Sequence, residues 1–393
     1  MPIVNPNFKI HCPYCRSEFH PGDAGIVYLN NSLIGAQAGE SPPQPGSMRY
    51  YISRFWITEL NGQKYTTAVA RRACPKCKKP LPEGEVNRTL NIAIVGDTSS
   101  GKTHYIAVLI NLLKRGVMTQ AGFISSRLDS LSADTDKRYR EEYFIPILQE
   151  KNARLGGTIP GEYSRTGAPT PPEPLVYQLA LRNNRTGEAK AVNLLFYDIS
   201  GEDVADSTRI VQFGEHILRA DGIIYLADPV AMERVRNRLP GHLQPDPSSI
   251  SGRTAHEVLA NVMHRFEDYQ RIPAGGSINI PTAIMISKSD LLRYTVPITE
   301  QRNFLIFQPK FYDGRAYPQE FQRIHQEVDT CLRYYGEQAL LQISGHFTRV
   351  NFFAGSATGD PPDSNGFYIN INPQRCLDPF VWMLWQLHYI EAA

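Results

Sequence analysis

The sequence has almost no excess of charge, few cysteines and no long hydrophobic run. Its 393 residues include 41 Lys and Arg against 39 Asp and Glu, a net charge of +2, which excludes a protein that binds nucleic acid by dense phosphate neutralisation along its whole length. Six cysteines are too few for a disulfide-built scaffold. No stretch approaches the roughly 18 apolar residues of a membrane span, and the first residues lack the pattern of a signal peptide. We therefore expect a cytoplasmic protein without a transmembrane segment.

The chain does have enough apolar side chains for a sizeable core, since hydrophobic residues make up 42% and aromatic residues 10% of it. Residues 1–86 hold four of the cysteines, short β-branched and aromatic runs and no clear helix, whereas strand-sized apolar runs then alternate with helical stretches. Such alternation predicts an α/β fold, with a mostly parallel sheet covered by helices on both faces. We expect a small β-rich module over residues 1–86 and a larger domain over residues 87–393, with an insertion at about 122–174.

The periodicity also predicts where the elements lie. In the larger domain, helices are expected at residues 103–115, 133–151, 205–219, 255–271, 318–343 and 378–390. Strands are expected there at residues 90–95, 175–181, 192–197, 222–227, 281–286 and 349–353. In the small module, strands are expected at residues 25–29, 49–57 and 64–70.

Four of the cysteines form two C-x-x-C pairs, Cys12 with Cys15 and Cys74 with Cys77. Each pair can present two thiolates from one tight turn, and two such turns supply the four tetrahedral ligands of a structural zinc site. A redox dithiol is the alternative, but that chemistry is expected beside a βαβ unit rather than in two pairs with basic flanks. The spacing therefore predicts a zinc-ribbon-like module that binds Zn²⁺.

An apolar strand-like run is followed at once by the sequence GDTSSGKT at residues 96–103, here called the phosphate loop. It is the G-x-x-x-x-G-K-[ST] motif in a strand–loop–helix context, where backbone N–H groups and the helix N-terminus bind phosphate. Lys102 is expected to reach the β- and γ-phosphates and Thr103 to coordinate Mg²⁺. The residues predicted to bind the nucleotide here are Gly96, Asp97, Thr98, Ser99, Ser100, Gly101, Lys102, Thr103 and His104.

Three segments later in the chain suit the rest of a guanine nucleotide. Asp198 and Gly201 form a D-x-x-G sequence after a strand-like run, where the carboxylate can hold Mg²⁺ through water and the glycine N–H can bond the γ-phosphate. In the sequence SKSD, Asp290 can accept from N1–H and the exocyclic amine of guanine, a pair of donors that adenine lacks, and the stem of Lys288 can lie against the ring. A backbone N–H near Ala357 can bond guanine O6.

With these motifs the chain resembles the P-loop GTPases of the translation-factor-related (TRAFAC) class over about residues 89–390. The resemblance implies a P-loop GTPase fold that binds GTP or GDP with Mg²⁺, with Ser356 and Ala357 as its terminal base-reading motif. It also implies a switch I threonine that coordinates Mg²⁺ just before the second strand, and Thr170 fits that position better than Thr166.

A four-cysteine module ahead of such a domain is also similar to the bacterial double-GTPase families. That resemblance implies a protein partner, such as a second GTPase or an effector. It also implies a role in a bacterial conflict or defence system.

Several residues depart from the family pattern in ways that bear on hydrolysis. Ser287 stands where the base-reading motif has Asn or Thr, and Glu202 stands where small GTPases often have the Gln that orients water. Thr98 replaces a glycine, and a side chain there tends to obstruct an incoming arginine finger, whereas Arg165 is a candidate for an internal one. We expect slow or partner-assisted hydrolysis, with Lys102, Arg165, Thr170, Gly201 and Glu202 as catalytic residues.

These observations favour a GTP-binding molecular switch with Mg²⁺-dependent GTP hydrolysis, and two alternatives stay open. One is an ATP-driven P-loop NTPase, which Asp290 disfavours. The other is a zinc-knuckle nucleic-acid-binding protein regulated by nucleotide. It is motivated by the basic residues Arg71, Arg72, Lys76, Lys78 and Lys79, although such residues around zinc knuckles are frequently just solvated.

Overall fold

The computed structural model places a seven-stranded sheet at the centre of the larger part of the chain. The structure describes residues 10–12, 17–20, 23, 25–28, 58–60, 63–65, 70–77, 81, 89–120, 122–131, 133–153, 155, 162–163, 169–170, 174–206, 208–210, 215–218, 220–245, 254–270, 272–273 and 275–393. The strand predicted at 49–57 lies outside these residues.

Six short strands come first among the described residues, and they form antiparallel pairs with one another. They are β1 (Ile10–His11), β2 (Glu18–Phe19), β3 (Gly25–Tyr28), β4 (Thr58–Leu60), β5 (Gln63–Tyr65) and β6 (Ala70–Ala73). β1 pairs with β2, β3 with β6 and β4 with β5, each antiparallel. The prediction of a β-rich segment ahead of the α/β fold is confirmed.

The later ranges that the structure describes contain nine further strands, of which seven form the central sheet. They are β7 (Thr89–Gly96), β8 (Ile124–Ser130), β9 (Glu162–Tyr163), β10 (Pro169–Thr170), β11 (Leu175–Asn183), β12 (Ala189–Asp198), β13 (Gly222–Ala227), β14 (Thr282–Ile286) and β15 (Val350–Ala354). The sheet order is β15-β14-β13-β7-β12-β11-β8, while β9 and β10 pair separately. β12, β7, β13, β14 and β15 are mutually parallel, and β11 is antiparallel to both neighbours. The predicted mostly parallel sheet is confirmed.

The helices connect these strands and pack on the sheet. They are α1 (Lys102–Lys114), α2 (Ala133–Arg138), a π-helical segment (Tyr139–Gln149), α3 (Gly201–Ala205), α4 (Glu215–Leu218), α5 (Glu233–Arg236), α6 (Ala255–Gln270), α7 (Ile298–Gln301), α8 (Pro318–Tyr335), α9 (Gln338–Ser344) and α10 (Asp378–Gln386). Short 3₁₀ turns occur at Gly241–Leu243, Ser289–Tyr294 and Leu305–Phe307. α1 packs on β7, β8 and β12, α8 on β15, and α10 on β13 and β14.

Two predicted helices are interrupted. The helix expected over 205–219 does not begin where predicted: α3 ends at Ala205, and the Asp206 carboxylate then accepts from the backbone N–H groups of Thr208 and Arg209, at 2.8 and 2.9 Å, which caps a new helical turn. Residues 209–210 and α4 lie within the predicted range and are helical. The helix expected over 318–343 is divided at Gly336, whose φ of 92° is left-handed and ends α8.

The insertion at about 122–174 contains more regular structure than its sequence indicates. It supplies β8, which pairs with β11 and adds a strand to the edge of the sheet. The amphipathic helix predicted over 133–151 divides into α2 and the π-helical segment, which has Pro146 inside it. Because proline has no N–H to donate, it interrupts regular α-helical bonding at this point. No helix within the described ranges is long and apolar enough to cross a membrane.

Candidate nucleotide-binding site

The phosphate loop connects the carboxyl end of β7 to the first turn of α1. Ser99 and Gly101 have φ values of 67° and 84°, in the left-handed region, so the loop turns sharply before the helix begins. The first N–H groups of a helix have no intrahelical partners and attract anions. A Cβ on Gly96 would lie 2.6 Å from the Leu226 carbonyl oxygen, so only glycine fits where the strand enters the loop.

Lys102 lies folded into the phosphate loop. Its Nζ donates to the carbonyl oxygens of Gly96 at 2.9 Å and Asp97 at 2.8 Å. Burial lowers the pKa of the Lys102 amine to about 8, against the attraction of Asp198 and Asp97. A buried amine that holds only neutral carbonyls is suited to bind an anion.

The residues predicted to hold Mg²⁺ meet beside the phosphate loop. The Thr103 hydroxyl donates to Oδ2 of Asp198 at 3.0 Å, and the Tyr143 hydroxyl approaches the same oxygen at 3.4 Å. A hydroxyl and a carboxylate are the hard oxygen ligands that Mg²⁺ prefers next to phosphate, so this pair fits the ion.

The D-x-x-G segment packs directly on the phosphate loop. A Cβ on Gly201 would lie 2.3 Å from the backbone nitrogen of Thr98 and 2.7 Å from the carbonyl carbon of Asp97. α3 begins here, with the Ser200 hydroxyl accepting from the N–H of Glu202 at 3.2 Å, while the Glu202 side chain is exposed. The loop and this segment therefore touch backbone to backbone.

Asp290 lines the same cavity as the phosphate loop. It is 4% exposed, and its Oδ1 has no hydrogen-bond partner in the described structure. Burial raises the pKa of this carboxyl, opposed by a hydrogen bond that the Ser356 hydroxyl donates to it. An oxygen that is buried without a partner costs free energy, and a ligand with suitable donors would remove that cost.

Lys288 has a left-handed backbone, with a φ of 46°. Its Nζ donates to Oδ2 of Asp228 at 2.8 Å, and its Cε would lie 3.9 Å from a Cβ on Gly101. Its side chain therefore extends between the strand end that bears Asp228 and the phosphate loop. Asp228 was not predicted, although a carboxylate directly after a buried strand was an available signal.

The loop that contains Ser356 and Ala357 is fixed by the segment that follows it. The backbone N–H and carbonyl groups of Ser356 and Gln374 pair in both directions, at 2.9 and 2.8 Å. The Cys376 thiol donates to the Ser356 carbonyl at 2.9 Å, and Arg293 donates to the Gln374 side chain at 3.0 Å. None of these partners was predicted, because only tertiary folding brings them to the loop.

A buried ionic network holds in place the segment that contains Gln374 and Cys376. Arg375 pairs with Oδ2 of Asp378 at 2.9 Å and with Glu320 at 2.5 Å, and the Arg375 and Asp378 side chains are each 2% exposed. The Tyr312 hydroxyl donates to Asp378 at 2.5 Å, and Lys310 also pairs with Glu320. Charges this deeply buried are stable only when they are paired.

His104, in the first turn of α1, also lines the cavity. Its ring packs edge-on against Tyr368 with centroids 5.8 Å apart, and its Nε2 is buried without a hydrogen-bond partner. Burial lowers the pKa of the ring to about 4, opposed by a hydrogen bond to the backbone of Asn152. The Tyr368 N–H donates to the Lys151 carbonyl at 2.8 Å.

One cavity of about 760 Å³ brings most of the predicted residues together. It is lined by Thr98, Ser99, Ser100, Gly101, Lys102, Thr103, His104, Gly201, Glu202, Lys288, Asp290, Ser356 and Ala357. Gly96 and Asp97, the first two residues of the phosphate loop, are not among the residues that line the cavity. Thr170 is in β10, where it pairs with Glu162, and its side chain lies outside the description, as do Arg165 and Thr166.

Three of the four predicted zinc ligands meet in the β-rich segment. The sulfur atoms of Cys12, Cys74 and Cys77 lie within 4.8 Å of one another, and those of Cys12 and Cys77 are 3.6 Å apart. Cys74 Sγ accepts from the N–H groups of Lys76 and Cys77, at 3.4 and 3.5 Å. Thiolates held in a turn of this kind suit Zn²⁺. Cys15 lies outside the described residues.

No family model matches the chain. The chain is similar to the putative ESX-1 scaffolding and assembly protein SaeC of Mycolicibacterium smegmatis, with 27% identity over 404 residues that cover 95% of this chain and 97% of that protein.

Among solved structures, the fold is similar to the Arl6/BBS3 small GTPase of Trypanosoma brucei with a bound nucleotide analogue, at 12% identity and a TM-score of 0.30 over 77% of this chain and 98% of that one. It is also similar to the signal recognition particle receptor SRb-GTP/SRX complex of Chaetomium thermophilum. The identity is 13% and the TM-score 0.31, over 70% of this chain and 93% of that one. A bacterial selenocysteine-specific elongation factor is similar at 11% identity and a TM-score of 0.28, over 77% of this chain and 29% of that one.

Proposed function

We propose that this protein is a guanine-nucleotide-binding switch. The observation that carries the proposal is the unpartnered, buried Oδ1 of Asp290 in the same cavity as the phosphate loop. A carboxylate can accept from N1–H and the exocyclic amine of guanine together. Adenine has no such pair of donors, which disfavours the ATP-driven alternative.

We propose that Mg²⁺ binds between Thr103 and Asp198, with Thr170 as the switch I ligand. When bound, the ion would neutralise charge on the phosphates. Lys102 would leave its two carbonyl partners for the β- and γ-phosphates, and the Gly201 N–H would bond the γ-phosphate. The contact between Gly201 and the Thr98 backbone supports the view that D-x-x-G senses the γ-phosphate.

The proposed GTP hydrolysis is slow or assisted by a partner. Glu202 has an exposed side chain, so it is free to turn toward an attacking water, but its charge repels the γ-phosphate. Thr98 lies on the cavity wall, where its side chain narrows the approach of an external arginine. Arg165 remains our candidate for an internal arginine finger.

We also propose that the protein acts with a protein partner. The similar protein of Mycolicibacterium smegmatis is named for scaffolding and assembly, which supports a switch that organises other proteins. In this proposal residues 1–86 form a zinc-binding module and residues 87–393 the nucleotide-binding domain. A role in a bacterial conflict system stays a prediction from the sequence resemblance.

The experiment is calorimetric titration of the purified protein with GDP, GTP, ADP and ATP in Mg²⁺. We expect binding of guanine nucleotides alone. Asp290→Asn should weaken GDP binding by roughly 10- to 100-fold, because a charge-assisted hydrogen bond is lost and a donor faces guanine donors, and it should improve binding of xanthosine diphosphate, which offers an acceptor there. Asp329→Asn, on the exposed side of α8, is the matched control. Equal binding of ATP and GTP would refute the guanine assignment.

A further inference from the structure

A second cavity, of about 330 Å³, lies beside the segment that fixes the loop containing Ser356 and Ala357. Its wall includes Leu112 near the end of α1 and the stretches 307–310 and 372–377. Among the described residues, none lines both this cavity and the candidate nucleotide-binding site. Its volume lies at the lower end of the roughly 300–1,000 Å³ that is typical of small-molecule sites, so it can hold a ligand of its own.

The charged residues that line this second cavity are all cations, namely Arg293, Lys310 and Arg375. Two carboxylates outside the lining pair with them. Glu320 pairs with both Lys310 and Arg375, and Asp378 pairs with Arg375. Three positive charges are thus matched by two negative ones, which leaves a net charge of +1 among these described groups. A surplus positive charge in a partly enclosed cavity attracts an anion.

Arg293 is the cation of this group that has no carboxylate partner among the described residues. Its guanidinium donates to neutral oxygens instead: the Phe307 carbonyl at 2.9 Å and the Gln374 side chain at 3.0 Å. A third bond, to the Gln301 side chain, is longer at 3.4 Å. Because Phe307 and Gln374 both line the cavity, these bonds place the guanidinium between two parts of its wall. A guanidinium has five N–H donors, so two of them have no partner within the described ranges and are available to a ligand.

Apolar side chains lie beside this cation. Leu112, Val117, Phe307 and Leu377 contribute to the lining, and the Arg293 guanidinium lies over the Phe307 ring, 4.9 Å from its centre. An anion without an apolar part would leave these side chains without a contact. We propose that this cavity is a second ligand site, in which Arg293 binds a small organic anion that has a carboxylate or phosphate monoester head and an apolar body.

Gln374 connects this second site to the base-facing loop of the nucleotide-binding cavity. Its side-chain oxygen accepts from Arg293, and its side-chain N–H donates to the Gly359 carbonyl at 3.3 Å. Its backbone pairs with that of Ser356 in both directions. An anion that fixes Arg293 would therefore also fix Gln374 and the loop, and by linkage each ligand would strengthen binding of the other. This consequence rests on the proposed function, whereas the anion site does not.

The test titrates the purified full chain, without nucleotide, with 4-fluorobenzoate, 4-fluorophenyl phosphate and the neutral 4-fluorobenzamide, followed by fluorine NMR. At least one of the two anions should bind with a dissociation constant of about 1 mM or lower. The amide should bind roughly tenfold more weakly, because it has no charge to pair with Arg293. Arg293→Met should weaken anion binding by a similar factor. Arg333→Met, on the exposed side of α8, is the matched control and should bind like the wild type.

Arg293→Lys keeps the positive charge and should retain part of the anion binding, which guards against a folding defect in the Met variant. Absence of binding of either anion below about 10 mM would overturn the second site, as would equal binding by Arg293→Met and the wild type.

A second measurement tests the connection between the two sites. A saturating concentration of the bound anion should raise GDP affinity roughly fivefold in the wild type and leave it unchanged in Arg293→Met. Anion binding with no change in GDP affinity would overturn the connection alone. Failure of the wild type to bind any guanine nucleotide would overturn the proposed function and the connection, whereas the anion site is decided by its own titration.

Discussion

Nζ of Lys288 lies 2.8 Å from Oδ2 of Asp228, although the two residues are 60 positions apart in the chain. They meet because β13 and β14 are parallel neighbours that end at the same edge of the sheet. The Asp228 side chain is 9% exposed, whereas that of Lys288 is 36% exposed. The carboxylate is thus the more buried member of the pair, and its ion pair holds the side chain of Lys288, which lines the cavity.

Asp228→Asn should weaken GDP binding by about three- to tenfold, because a partly exposed ion pair that orients Lys288 contributes roughly 1 kcal/mol. The measurement is the dissociation constant of GDP, together with the melting temperature of the free protein. Asp329→Asn removes the comparable pair with Arg333, 2.7 Å apart on α8, and should not change GDP binding. Equal affinities of the Asp228 variant and the wild type would show that Lys288 needs no support.

Gly201→Ala should lower the affinity for a non-hydrolysable GTP analogue at least tenfold and leave GDP binding nearly unchanged. The added methyl would lie 2.3 Å from the Thr98 nitrogen, so the start of α3 must withdraw from the phosphate loop. Gly241→Ala is the control, since a Cβ there meets no atom within 4 Å. Titration of each variant with GDP and with the analogue measures the two affinities. Unchanged binding of the analogue to the Gly201 variant would contradict the predicted γ-phosphate contact.

Arg375→Leu should destabilise the protein by about 3–5 kcal/mol, because it leaves Asp378 buried without its cation. Denaturant unfolding measures the loss. Arg333→Leu removes an exposed pair and should cost less than about 1 kcal/mol. GDP binding should weaken in the Arg375 variant but not in the Arg333 variant, because Gln374, next to Arg375, hydrogen-bonds to the backbone of Ser356 in the binding cavity. A stable Arg375 variant with normal GDP binding would contradict this role of the network.

GDP binding should take up a proton near pH 8.5. In the free protein burial holds the pKa of Lys102 at about 8, below its ordinary 10.5, and phosphates would favour the charged amine again. Calorimetry in buffers of different ionisation enthalpy measures the uptake, and GDP affinity should fall as the pH rises above 8. Lys102→Arg stays charged and should show no uptake. If Lys102→Arg takes up as many protons on GDP binding as the wild type, the proton binds to a group other than Lys102.

The same shift predicts a pH effect on stability. Between about pH 8 and 10.5 the unfolded chain holds more protons than the folded chain at Lys102, so this group's contribution to the free energy of unfolding rises with pH in that window. Lys102→Met should lack this rise. Denaturant unfolding of both proteins without nucleotide at pH 8 and 10 measures how the free energy of unfolding changes with pH. An equal change in the wild type and the variant would contradict the lowered pKa of Lys102.

The purified protein should contain about one zinc ion per chain, and Cys74→Ser should lose most of it. Metal analysis by mass spectrometry measures the content. Cys331→Ser is the control, because burial raises the pKa of that thiol to about 11 and it lies in α8, far along the chain from the cluster. Retention of zinc by the Cys74 variant would contradict the proposed ligand set.

The parts of the site that sequence predicts are those encoded in short contiguous runs. The phosphate loop, Lys288 and Asp290 were located because each follows a strand-like run and has the residue types its ligand requires. Asp228 and Gln374 were missed, because their roles depend on which strands and loops become neighbours. Contacts of that kind leave no spacing rule in a single sequence.

The fold shows the same division. Central strands such as β13 are buried at every position and were predicted within a residue or two. β8 was missed because Leu128 is its only buried residue, while its other residues are half-buried or exposed and include Arg127 and Asp129. It therefore has no apolar run to mark it. The break at Gly336 depends on a left-handed backbone, which a helical pattern on both sides concealed.

One stretch of the insertion contacts two parts of the candidate site. Its Tyr143 hydroxyl approaches the Asp198 carboxylate, and its Lys151 carbonyl accepts from the N–H of Tyr368, which lines the cavity. A cation bound at Asp198 would compete with Tyr143 for the same oxygen, and a movement of Tyr143 would act on the stretch that also holds Tyr368. The free energies of cation binding and of nucleoside binding would then be mutually dependent, and by linkage each would alter the other by the same factor.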